Sequence, residues 1–103
     1  MATFDDDVPF VQSLIVTFAD RWPVLIEEIL AAFDAGDAGA VSRAAHALKG
    51  SVGYFENGEL CATASRVERI TTAAELSLVP SLVAQLERRL SDLTSYLNAE
   101  FSS

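Results

Sequence analysis

Residues 38–55 read AGAVSRAAHALKGSVGYF, and the spacing of their apolar members decides the fold. Val41, Ala45, Leu48, Val52 and Phe55 follow at intervals of four, three, four and three. That is the period of a helix with one buried face, not the alternation of a half-buried strand. At about 100° per residue this seam centres about 140° from His46, so the imidazole is expected on the solvent side. Within about 60° of the same bearing lie Arg43, Lys49, Gly50, Gly53 and Asn57.

The pattern repeats in both directions. Upstream, Asp37 is a ready N-cap and Gly36 a ready left-handed stop for a preceding helix that places Trp22, Ile26, Ile29 and Phe33 on one stripe. Pro23 disfavours helical geometry at Trp22, so a break or kink is expected there. Residues 8–20, with Phe10, Val11, Leu14, Ile15 and Phe18 behind the acidic run at 5–7, are then a separate short helix across one end. Trp22 is read as a cover at the end of the bundle. Downstream, Asn57 and Gly58 end the central helix, and Asn57 can cap another. That next helix turns Leu60, Ala64, Val67 and Ile70 inward and Arg66, Glu68 and Arg69 outward. Residues 71–77 read as a loop. The last helix starts near residues 77–80, where Pro80 is tolerated in the first turn, and carries Val83, Leu86, Leu90, Leu93 and Leu97. The expected fold is all-α: an antiparallel up-and-down four-helix bundle with an additional short N-terminal helix, one domain over residues 1–103.

Composition narrows the function. The chain has 103 residues, half of them apolar, with 15 acidic and 7 basic side chains, one His and one Cys. One core suffices at this length, and the lone Cys61 is read as a small buried hydrophobe that forms no disulfide. A net charge of −8 is the wrong balance for nucleic acid, whose binders gain most of their affinity from cations meeting phosphates. No apolar run reaches the ~18 residues of a membrane span, and a cytoplasmic monomer is expected. With one His and one Cys, no metal site is expected. A Ser/His/Asp hydrolase lacks an oxyanion hole and a cleft in this pattern. The chain's start and end point to a free-standing domain.

What remains is the face around His46. Arg43 and Lys49, the latter the sole lysine, flank the sole imidazole in an otherwise acidic chain, which suits a doubly negative phosphoryl group. Two glycines inside a helix cost roughly 1 kcal/mol each relative to alanine. Gly50 and Gly53 on the exposed side suggest close approach of another backbone. An exposed neutral imidazole is nucleophilic without elaborate activation.

The run AAHALKGSVGYF at residues 44–55 resembles the signature of histidine-containing phosphotransfer (HPt) domains, His-x-Leu-Lys-Gly-Ser followed by small and apolar residues. The order of helices fits the resemblance along the whole chain. It implies a four-helix bundle whose exposed histidine takes a phosphoryl group from a response-regulator receiver aspartate and passes it to another, a relay with no kinase activity and no cofactor. By that likeness His46 is the phosphoacceptor and Lys49 stabilises the phosphoryl group. Gly50 leaves room for the partner and Ser51 is the usual small residue. Arg43, Gly50, Ser51, Gly53 and Asn57 are the expected partner-binding residues. The implied partner is a receiver domain, a hybrid histidine kinase, or both, with apolar residues of the first helix as a rim. Glu56 departs from the pattern, which often has glycine there, and adds negative charge near the site. The alternative is a helical adaptor that binds through the same face without phosphorylation.

Overall fold

Five helical segments build the molecule in a computed structural model that describes residues 8–53, 55 and 58–101. They are α1 (Val8–Asp34), α2 (Ala38–Val52), α3 (Glu59–Glu68), the single turn α4 (Ala73–Leu76) and α5 (Val79–Phe101). The acidic run at 5–7, Glu56 and Asn57 lie outside the described residues, and so do the expectations placed on them.

The junctions follow local chemistry. Gly36 adopts φ +69°, which a residue without a Cβ enters cheaply, and closes α1 with bonds from its own N–H to the Phe33 carbonyl and from the Asp37 N–H to the Ala32 carbonyl. The Asp37 carboxylate then accepts the Ala40 N–H at 3.0 Å and opens α2. Three connecting residues leave no length for a crossover, so α1 and α2 run antiparallel. Within the expected loop 71–77, Thr72 and Glu75 form a capping box that starts α4. The Glu75 carboxyl is held below its usual range by the Thr71 backbone N–H, then by the Thr72 hydroxyl and backbone N–H.

The four long helices pack in a ring: α1 on α2, α2 on α3, α3 on α5 and α5 on α1. The seam Val41, Ala45, Leu48 and Val52 is completely buried, and Phe55 is half-buried. Leu60, Ala64, Val67 and Ile70 of the α3 segment and Val83, Leu86, Leu90 and Leu97 of α5 complete the core, as periodicity predicts.

The N-terminal expectation needs correction. Residues 8–34 form one helix with Pro23 inside it, not a short helix followed by a break. Proline removes one helical hydrogen bond and crowds the carbonyl four residues earlier, at a cost of ~3 kcal/mol. Burial of Val11, Ile15 and Phe18 before it and Leu25, Ile26 and Ile29 after it outweighs that cost, since each contributes ~1.5–3 kcal/mol. Trp22 accordingly lies near the middle of α1, not at an end, and its Nε1–H donates to Thr94 Oγ1 of α5 at 3.0 Å. Phe10, expected on the inner stripe, is 49% exposed. Cys61, expected in the core, is half-buried against it.

Candidate functional site

Full burial of the α2 seam fixes which way the opposite face looks. His46 projects from it with 69% of its side chain exposed. What sequence periodicity does not supply is the partner of its ring. Glu68, at the last turn of α3, accepts from His46 Nδ1 at 2.7 Å and from Lys49 Nζ at 2.6 Å, one carboxylate oxygen for each. The placement is pinned by Ser42, whose hydroxyl donates to the Glu68 backbone carbonyl at 2.6 Å and locks the register of α3 against α2.

Electrostatics settle the tautomer. The Glu68 carboxyl is held below its usual range, first by the bond from Lys49 and then by that from His46. An ionised carboxylate only accepts, so Nδ1 carries a proton, and in the neutral ring the lone pair is then on Nε2. Glu68 was expected to face outward, yet it turns back onto α2 and joins His46 and Lys49. Its separation of 22 residues from His46 hid this pairing, because the register of one helix against another is not written in the period of either.

The remaining expected residues fall on different sides of α2. Gly50 and Ser51 line an apolar groove against α1 with Leu14, Thr17, Phe18 and Phe55, about 160 Å³ in volume. The rings of Phe18 and Phe55 meet there at 5.1 Å between centroids. A Cβ at Gly50 would touch nothing within 4 Å, so this glycine answers no need of the fold itself. Gly53 sits on the other side: a Cβ there would approach the Lys49 carbonyl at 3.3 Å and the Cys61 sulfur of α3 at 4.0 Å. Arg43 is exposed and lines a shallow depression between α1 and α2 with Arg21 and Glu28.

A helical bundle that presents an imidazole on an exposed face, with a carboxylate behind it and a lysine beside it, is a module with its site on the surface. The chain belongs to the Hpt domain family, whose model matches residues 13–96. No curated protein and no solved structure matches it significantly. Hpt domains are phosphotransfer carriers that interact with receiver domains and histidine kinases, and this chain has a phosphotransfer-related role in two-component signalling. Among the described residues, no helix is long and apolar enough to cross a membrane.

Proposed function

We propose that His46 carries the phosphoryl group, taking it from the aspartyl phosphate of a receiver domain and handing it to another. The observation that carries this reading is the Glu68 clamp, because it holds the ring by Nδ1 and leaves Nε2 as the other nitrogen of an exposed imidazole. The Nε2 lone pair attacks phosphorus in line as the bond from phosphorus to the aspartate oxygen breaks, and the aspartate leaves as carboxylate. The ring becomes a phosphorylated imidazolium that still holds its Nδ1 proton, and the Glu68 carboxylate faces the positive charge that develops. Lys49, one turn on, is placed to leave Glu68 and meet the equatorial oxygens, where charge accumulates in a loose transition state. The direction of attack is reversible with the same groups. Gly50 and the apolar groove beside it supply the flat, unobstructed approach that the partner's backbone needs.

The experiment is to mix the chain with phosphorylated receiver domains and follow acid-labile phosphate. Label is expected on the wild-type chain and absent from His46→Gln. Equal labelling of the two would remove His46 as the carrier, and binding of a receiver with no transfer would leave an adaptor.

A further inference from the structure

Lys49, Arg66 and Arg69, three of the seven basic side chains, line one open groove between α2 and α3 together with Gly53, Gly58, Cys61, Ala62 and Ser65. Among the described residues no acidic side chain lines it. Among the described residues neither Arg66 nor Arg69 makes an ion pair, and both are exposed. In a chain of net charge −8 such a concentration runs against the prevailing field. The groove is continuous with the phosphoacceptor through Lys49, which borders the groove and bonds Glu68 at the site.

We propose that this groove docks an acidic segment of the receiver domain that exchanges phosphate with His46, an inference that rests on the carrier reading above. Charge complementarity selects the occupant. Guanidinium groups on long arms match carboxylates in a two-pronged geometry and retain their charge at all working pH values. Arg66 and Arg69, with Lys49 committed to Glu68 and the phosphoryl group, suit a short run of Asp or Glu, while the acidic body around them repels the extended phosphate backbone of a nucleic acid. The groove lies across α2 from the apolar groove at Gly50, so the partner straddles His46: its apolar contacts fall toward α1 and its acidic ones toward α3. Such pairing acts on encounter more than on chemistry, since complementary fields raise association rates and are screened by salt.

The test compares Arg66→Glu with Arg69→Glu, made together, against a charge-matched control on α5, Arg88→Glu with Arg89→Glu. Circular dichroism and thermal midpoints verify the fold of both. With the receiver that transfers fastest to wild type, kcat/KM for transfer to the groove variant is expected to fall roughly tenfold or more with its saturating rate retained, and to lose most of its salt dependence. The control is expected to stay within about twofold of wild type. Equal losses in the two variants, or a loss confined to the saturating rate, would overturn the groove. In amide NMR, receiver-induced shifts at Gly58, Ala62 and Ser65 would support it, and shifts limited to α1 and α2 would overturn it. Failure of wild type to take phosphate on His46 from phosphoramidate, a small donor that needs no docking, would instead overturn the carrier reading beneath it.

Discussion

Glu68 is one carboxylate serving two cationic donors, and each bond constrains the other. Its hydrogen bond to Nδ1 fixes the imidazole tautomer, and its ion pair holds Lys49 one turn away until a stronger anion arrives. Glu68→Gln keeps the shape but removes the charge, and the amide can donate to Nδ1 and favour the wrong tautomer. Transfer to His46 is expected to slow by about tenfold in Glu68→Gln, the size of one charge-assisted hydrogen bond, with the thermal midpoint little changed. A rate equal to wild type would remove Glu68 from the mechanism. Because its folded-state pKa is depressed, the ionised clamp is present above the ordinary carboxylate value of 4.5 and lost only as pH falls through a lower one. Lys49→Ala removes the largest cause, so the Glu68 carboxyl carbon, followed by NMR, is expected to titrate closer to 4.5 than in wild type. A midpoint that does not move upward would show that Lys49 does not hold it down. His46, Lys49 and Gly50 could be singled out as candidates from the sequence because they fall within about one turn on one helix. Glu68 was not, since its place depends on how α3 slides along α2, a quantity set by Ser42 and the packed seam.

Within the elements, the sequence rules worked where a local signal met no opposition. Asp37 and Gly36 lie where capping chemistry places them, and the stripes of α2, α3 and α5 are buried as their periods require. The capping box of Thr72 and Glu75 was there to be read as a Thr-x-x-Glu pattern inside what was taken as loop. Pro23 shows the opposite case, a correct local penalty overridden by tertiary burial on both sides of it. That conflict is measurable. Pro23→Ala restores the N–H that the Ala19 carbonyl lacks and relieves the ring clash, gains of ~3 kcal/mol, against a loss of up to ~1 kcal/mol from the freer unfolded chain. A net stabilisation of about 2–3 kcal/mol is therefore expected, seen as a higher urea midpoint with unchanged slope and a thermal midpoint raised by roughly 10 °C or more. A lower midpoint would mean that proline at position 23 is itself required for α1 to lie against both α2 and α5.

The molecule as a whole is elongated, 48 × 22 × 18 Å, because its helices are unequal. At 1.5 Å per residue, the 27 residues of α1 and 23 of α5 reach ~40 and ~34 Å, whereas the 15 of α2 and 10 of α3 reach only ~22 and ~15 Å. The contact of Phe18 with Phe55 marks where α2 gives out along α1. Beyond it, the first turns of α1 lie beside the last turns of α5 as a two-helix extension, joined by the bond from the Gln12 side-chain amide to the Phe101 carbonyl and by buried Val11, Ile15 and Leu97. Phe10, Val16 and Tyr96 stand exposed in these turns, on sides that the contact between the two helices leaves uncovered, while Val11, Ile15 and Leu97 are buried by it. Two helices bury one face each and four bury a shared interior, so opening the extension exposes far less apolar surface than opening the four-helix part. Hydrogen exchange is expected to separate the two. Amides at residues 12–17 and 95–100 should exchange at least about tenfold faster than those at 44–48, where Ala44, Ala45 and Leu48 carry the seam behind His46. Uniform protection along α1 and α5 would show that the molecule opens only as a unit. With the expected gradient, the carboxylate, lysine and imidazole are held by the part of the molecule that opens last. His46, the proposed phosphoacceptor, then keeps its orientation while the far end breathes, and under that proposal no change at that end needs to reach it for transfer to proceed.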